Sequence, residues 1–223
     1  FITIVNLLFI ILTFLTSVFI ARMLIPRILL ISMRKKLFDI PDERKVHKKA
    51  IPRLGGVSFF PTTLFSFCLV YTFRLLGGDS ISTVYAGYLL PELLLFACGM
   101  TLLYLTGIAD DLVGVRYRQK FVIQIFCACL FPLSGLWIND LYGLFGIHEL
   151  SVYVGIPFTI LTVVFITNAI NLIDGIDGLA SGLSSVALLI FTFLFIEKGL
   201  WSYAMLAAGT FGVLVPFFYY NVF

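Results

Sequence analysis

The segment that decides the fold is residues 178–196, which read GLASGLSSVALLIFTFLFI without a charged side chain. A helix needs about 20 mainly apolar residues to cross roughly 30 Å of hydrocarbon, because it rises about 1.5 Å per residue. A transmembrane β-strand would instead show about ten residues of alternating polarity. The segment therefore predicts a membrane-spanning α-helix.

Six other stretches also lack charged residues, and the whole chain of 223 residues is 61% hydrophobic and only 12% charged. Soluble domains are typically about 45–50% apolar, so this composition excludes a soluble globule. We predict an all-α, polytopic transmembrane helical bundle with about seven spans, which forms a single domain over residues 1–223. We expect the protein to be embedded in the lipid bilayer and to have no nucleic-acid partner. The other six stretches are residues 1–21, 54–73, 93–109, 121–139, 150–173 and 199–223.

The basic residues predict how the chain is oriented. Ten of the 15 Lys and Arg residues lie in residues 22–53 and three in residues 116–120, while Arg74 and Lys198 stand alone. If seven helices alternate in direction, both basic segments fall on one side. The positive-inside rule assigns that side to the cytoplasm, so the N-terminus is predicted outside.

Four acidic residues fall at helix ends on the same predicted inner side. Asp110 and Asp111 end the third stretch, and Asp174 and Asp177 lie between the fifth and the sixth. A carboxylate in or near a spanning segment costs a few kcal/mol and usually serves a function. We therefore expect the two groups to share one site.

Each acidic group has its own chemistry. Adjacent carboxylates at a helix C-terminus oppose each other and the helix dipole, so Asp110 and Asp111 need a divalent metal or a lysine nearby, and Lys120 is the local candidate. Lys120 and Gln124, four residues apart, would share a helix face. In the second group, Gly175 and Gly178 indicate an interrupted helix that exposes backbone N–H groups. The alternative is that Asp177 simply caps the next helix.

The loop at residues 38–56, FDIPDERKVHKKAIPRLGG, carries cations that could hold phosphates. His47 is either part of that site or a solvated loop residue. Clustered acids beside cations and a bilayer suit a reaction that joins a soluble phosphate compound to a lipid phosphate. Mg²⁺ suits such a site because it typically uses one or two carboxylates together with substrate phosphate oxygens.

Three motifs resemble the polyprenyl-phosphate N-acetylhexosamine-1-phosphate transferases. They are the Asp110-Asp111 doublet, NAINLIDGIDGLA at residues 168–180, and RKVHKKAIPRLGG at residues 44–56. The motifs occur in the family's order, and the resemblance covers most of the chain. The IPRLGG string is more similar to the WecA and TagO branch of this superfamily than to the MraY branch.

The resemblance implies transfer of N-acetylglucosamine-1-phosphate from UDP-GlcNAc, a UDP-N-acetylhexosamine, to undecaprenyl phosphate, with release of UMP. It further implies a multi-pass enzyme of the bacterial cytoplasmic membrane, with its active site on the cytoplasmic face and Mg²⁺ as cofactor, Mn²⁺ being the alternative. The implied catalytic residues are Asp110, Asp111, Asp174 and Asp177, of which Asp110, Asp111 and Asp174 are the implied metal ligands. The implied substrate-binding residues are Asn168, Asn171, His47, Lys48, Arg53 and Lys120.

The family is expected to have ten or eleven spans, with a later aspartate and a histidine-rich loop. We therefore expect this chain to be the N-terminal two-thirds of a longer enzyme and to be inactive alone. One alternative is an intramembrane aromatic prenyltransferase, which should show Asp-x-x-x-Asp motifs. The other is a cation-coupled transporter, whose acids should lie near the bilayer midplane. Which aspartate binds metal, which hexosamine is used, and whether the protein forms homo-oligomers stay open.

Overall fold

The structure is a computed structural model that describes residues 2–35, 37–39, 51–52, 55–77 and 80–222. Those residues form an almost entirely helical protein, as predicted. Two short strands, β1 (Phe38–Asp39) and β2 (Ile51–Pro52), pair in antiparallel register, and 3₁₀ turns occur at Gly55–Ser58 and Leu144–Gly146. The helices are α1 (Ile2–Arg34), α2 (Phe59–Leu76), α3 (Ser80–Val113), α4 (Tyr117–Leu133), α5 (Val152–Ile173), α6 (Leu179–Glu197) and α7 (Trp201–Val222).

Within the described ranges, every helix except α4 is long and apolar enough to cross a membrane. Large apolar side chains cover the outer faces of these helices. Phe19 is 66% exposed, Leu161 65% and Phe193 64%. Such continuous apolar surface would be unfavourable in water but is compatible with lipid. The chain is therefore a multi-pass membrane protein.

Helices α1 and α3 are longer than the stretches that predicted them. They contain 33 and 34 residues and extend about 50 Å, well beyond the roughly 30 Å of hydrocarbon. The predictions at residues 1–21 and 93–109 stopped at the first charge. A charged residue ends an uncharged stretch without ending the helix, because the backbone hydrogen bonds of α1 continue past Arg22 and Arg27.

The predicted span at residues 121–139 is helical only in part. Helix α4 ends at Leu133, and Gly135 takes a left-handed conformation with φ of 94°. The chain then runs beside α5, where the Ile138 N–H donates to Thr159 Oγ1 at 2.8 Å. A Cβ atom at Gly155 would come within 2.4 Å of the Trp137 ring, so the glycine makes room for this non-helical segment.

The chain forms two compact units, one of residues 1–80 with 173–223 and the other of residues 81–172. In the first unit, α7 packs against α1, α6 and α2. Small residues allow the close approach: a Cβ atom at Gly212 would lie 2.7 Å from the Phe14 carbonyl oxygen, and one at Gly209 would lie 3.1 Å from Thr13 Cγ2. Helices in lipid commonly associate through small residues, because burial of apolar surface provides little driving force for helix association there.

The second unit consists of α3, α4 and α5. Cys127 Sγ of α4 contacts the Gly99 carbonyl of α3 at 3.5 Å. Gln124, in the middle of α4, contacts Asn168 in the last third of α5, whereas Ile138, after the end of α4, contacts Thr159 in the first half of α5. Helix α4 is therefore antiparallel to α5, and the start of α4 lies at the same end of this unit as the end of α5.

Gly212→Ala is expected to destabilise the protein by about 1–3 kcal/mol, because the new methyl group meets a backbone oxygen of α1 that cannot rotate away. Gly107→Ala is the matched control, since nothing lies within 4 Å of a Cβ atom there. It should leave stability unchanged or raise it slightly. Thermal unfolding in lipid nanodiscs measures both variants, and equal melting temperatures would contradict the packing of α7 on α1.

Candidate active site

Asp110 lies in the last turn of α3 and is held by two donors. Its Oδ2 accepts from Lys120 Nζ at 2.5 Å, and its Oδ1 accepts from the Val115 N–H at 3.0 Å. The lysine is therefore the local cation that the acidic doublet was expected to need. Both side chains are about one-third exposed, so the pair contributes only about 0.5–1 kcal/mol to stability and remains accessible to a ligand.

Polar contacts continue from this pair along α4. Gln124 lies one turn after Lys120, on the same face of the helix. Its Oε1 accepts from Asn168 Nδ2 at 2.8 Å, and the same amide nitrogen donates to the Val164 carbonyl. Asn171 follows Asn168 by one turn of α5. Residues from three helices thus form a polar cluster at one end of the second unit. Gln124 was not among the predicted site residues, although its helical spacing from Lys120 indicated a shared face.

Asp174 and Asp177 lie in the turn between α5 and α6, residues 174–178, which we call the elbow. The helix is interrupted here, as its glycines predicted. Gly178 has φ of 74° and occupies the N-cap position of α6, so the alternative that Asp177 caps this helix is wrong. Both aspartates are exposed. The elbow belongs to the first unit, whereas the polar cluster belongs to the second.

The end of α7 holds the elbow in place. Asn221 Oδ1 accepts from the Gly178 N–H at 2.6 Å. A Cβ atom at Gly178 would lie 2.6 Å from Val222 Cγ2 and 3.2 Å from the Phe218 ring. Asn221 was not predicted as a site residue. No local sequence pattern indicates it, because its contact is with a residue 43 positions away.

Three predicted substrate-binding residues, His47, Lys48 and Arg53, lie outside the described residues. Pairing of Phe38 with Pro52 brings the chain on either side of residues 40–50 together. The assignment of these residues to a phosphate site stays a prediction, as does the expectation that the two acidic groups share one pocket.

Residues 93–223, more than half of the chain, match the sequence profile of glycosyl transferase family 4. The chain belongs to glycosyl transferase family 4. The matching region contains the acidic doublet with Lys120 in the second unit and the elbow with Asn221 in the first.

Individual relatives agree with this membership. A probable undecaprenyl-phosphate N-acetylglucosaminyl 1-phosphate transferase of Bacillus subtilis is 31% identical over 80% of the chain and 46% of the relative. A phospho-N-acetylmuramoyl-pentapeptide-transferase of Staphylococcus carnosus is 28% identical over 93% of the chain and 64% of the relative. An undecaprenyl-phosphate alpha-N-acetylglucosaminyl 1-phosphate transferase of Yersinia pestis is 28% identical over 86% of the chain and 49% of the relative. The chain thus spans about half to two-thirds of the length of these relatives.

Gly178→Ala is expected to lower the free energy of unfolding by about 2–3 kcal/mol. The alanine would have to keep a left-handed backbone conformation, and its methyl group would clash with α7. Gly199→Ala, just past the other end of α6, is the matched control. Gly199 has a similar φ of 71° but nothing within 4 Å of a Cβ atom, so only about 1 kcal/mol of backbone strain is expected. Thermal unfolding compares the two, and equal losses would argue against the contact between α7 and the elbow.

Proposed function

We propose that the full-length protein transfers N-acetylglucosamine-1-phosphate from UDP-GlcNAc to undecaprenyl phosphate and releases UMP. The reaction takes place at the cytoplasmic face of a bacterial membrane, with the N-terminus of this chain outside. Membership of glycosyl transferase family 4 and the activities after which its relatives are named support this reaction.

The observation that carries the proposal is the Lys120–Asp110 pair beside Asp111 at adjoining ends of α3 and α4. Carboxylates and an amine lie together where two apolar helices end, which is where a lipid phosphate and a soluble nucleotide could both reach them. A purely structural helix end would not need a second carboxylate next to the first, because that charge opposes the dipole of α3.

The residues fit Mg²⁺ by the chemistry of their donors. Among the residues that the structure describes, no three His, Cys, Asp or Glu side chains are grouped as a complete metal cage. Magnesium rarely requires one, because it keeps several waters and binds one or two carboxylates together with substrate phosphate oxygens. Asp110 and Asp111 of the second unit would hold the ion, and the assignment of Asp174 as a further ligand stays a prediction. When bound, Mg²⁺ neutralises charge on the phosphate oxygens.

In the proposed reaction, an oxygen of the lipid phosphate attacks the phosphorus that carries the sugar. The new P–O bond forms as the bond between that phosphorus and the bridging oxygen breaks, and the bridging oxygen leaves with UMP. A lipid phosphate is already largely ionised near neutral pH, so a strong base is not required. Lys120 limits the repulsion between Asp110 and the incoming phosphates, while Asp174, Asp177, Asn168 and Asn171 orient the nucleotide sugar.

Neither alternative function is supported as well as the proposed transferase reaction. A prenyltransferase would be expected to carry Asp-x-x-x-Asp motifs and would release diphosphate instead of UMP, and the family match does not favour it. A transporter would place its acids near the bilayer midplane, whereas Asp110 lies in the last turn of α3 and Asp174 immediately after α5.

Replacement of Asp110, Asp111, Asp174 or Asp177 singly by Asn in the full-length enzyme should lower turnover by about 100-fold or more, because each loses charge where phosphates are bound. UMP release measures the effect. Glu197→Gln, an acid at the far end of α6, is the control and should retain activity. Near-normal turnover in all four Asn variants would refute the site.

Lys120→Met is expected to lower kcat/KM by about 10- to 100-fold, because Asp110 loses its charged donor. Lys120→Arg should recover part of this loss, and Lys198→Met is the control for removal of a cation elsewhere. Kinetics of UMP release with varied UDP-GlcNAc measures the effect. Equal activity of the two Met variants would show that the Lys120–Asp110 pair is not used in the reaction.

A further inference from the structure

The connection between α4 and α5 contains a well-formed hairpin at residues 138–150. Asp140 and Glu149 are bridge partners, and the Leu141 and Gly143 N–H groups donate to the carbonyls of His148 and Ile147, each at 3.0 Å. The backbone thus satisfies much of its own hydrogen bonding, and the shape of the hairpin does not depend on burial of its side chains.

The tip of this 138–150 hairpin is apolar and turned outward. Residues 141–147 read LYGLFGI, with no charge. Tyr142 is 87% exposed, Leu144 58% and Phe145 90%. Tyr142 and Phe145 also have left-handed φ values of 51° and 55°, a conformation that is unfavourable for bulky residues. The strained backbone displays these rings instead of folding them against the protein.

The base of the hairpin sets its depth relative to α5. The Ile138 N–H is hydrogen-bonded to Thr159 Oγ1. Thr159 lies seven residues into α5, which places it about 10 Å along the helix axis from the start of α5, towards the membrane interior. Seven extended residues lead from Ile138 to Phe145 and reach at most roughly 23 Å. The tip can therefore stand no more than about 13 Å above the start of α5, and any tilt lowers it further.

The heights that this limit allows include the edge of the bilayer. Helix α5 has 22 residues and is about 33 Å long, close to the roughly 30 Å of hydrocarbon, and the headgroup layer adds about 5–8 Å on each side. Tyr153, in the first turn of α5, is 92% exposed. Aromatic rings are favoured at this boundary, where one side of the ring meets acyl chains and the other meets water.

We propose that the 138–150 hairpin is a membrane-inserted anchor whose Tyr142, Leu144 and Phe145 side chains enter the acyl–headgroup boundary of the leaflet at the N-terminal end of α5. Its partner is the lipid bilayer itself. The acidic base residues Asp140 and Glu149 stay in water. Residues 134–151 contain no Lys or Arg, so the insertion is driven by apolar contact and does not require anionic lipid.

The test uses the full-length protein with its native cysteines replaced by alanine. A nitroxide spin label is attached to Phe145→Cys or Leu144→Cys at the tip, and to Glu149→Cys at the base as the matched control. In phosphatidylcholine nanodiscs, collisions with oxygen report on lipid exposure, and collisions with a water-soluble nickel complex report on water. The tip labels should show an oxygen-to-nickel collision ratio several-fold above that of the Glu149 label, and added phosphatidylglycerol should leave that ratio unchanged.

Three outcomes would overturn the proposal. Equal nickel accessibility at the tip and the base would mean that the hairpin is an aqueous loop. Spin–spin broadening that disappears on dilution with unlabelled protein would mean that the tip contacts a second copy of the chain. Tip labels shielded from both reagents would mean that protein covers them.

Discussion

The constraint on which this structure depends is that no water reaches the hydrocarbon core, so backbone N–H and C=O groups there must find partners within the protein. Helices meet this requirement locally, and most of the described chain is helical for that reason. Where a helix is interrupted, a neighbouring helix supplies a side-chain oxygen. Thr159 accepts from Ile138 after α4 ends, and Asn221 accepts from Gly178 at the elbow. Both interruptions are therefore stabilised by tertiary hydrogen bonds.

The same constraint explains where charge is found. Carboxylates within the hydrocarbon would be costly, and the acids of the proposed site lie at or beyond helix ends. Asp110 is further stabilised by Lys120 from the first turn of the next helix. Since that pair is partly exposed, its charge remains accessible to a ligand. The arrangement is compatible with the proposed transfer between phosphates at the membrane surface.

Much of the candidate site was predictable because it consists of local motifs. The sequence alone indicates the acidic doublet, its lysine ten residues away and the glycine-interrupted elbow, and the structure confirms the Lys120–Asp110 contact and the helix break. The contact of Gln124 with Asn168 was not predicted. Neither was the role of Asn221, because 43 residues separate it from Gly178 and periodicity carries no information about which distant residues meet. The full lengths of α1 and α3 were not predicted. Hydropathy indicates only the apolar part of a helix, whereas the helix extends as far as its backbone hydrogen bonds continue.

By itself, the sequence determined the all-α membrane class, the approximate number of crossings and the positions of the acids at helix ends, because apolar length and charge are local properties that the bilayer selects directly. Tertiary structure alone decided that α4 ends early and that the chain continues as a non-helical segment beside α5. It also decided that α7 packs on α1 through Gly212 and locks the elbow through Asn221. These features depend on the space and the hydrogen-bond acceptors that a neighbouring helix offers, and a neighbour is known only once the chain has folded.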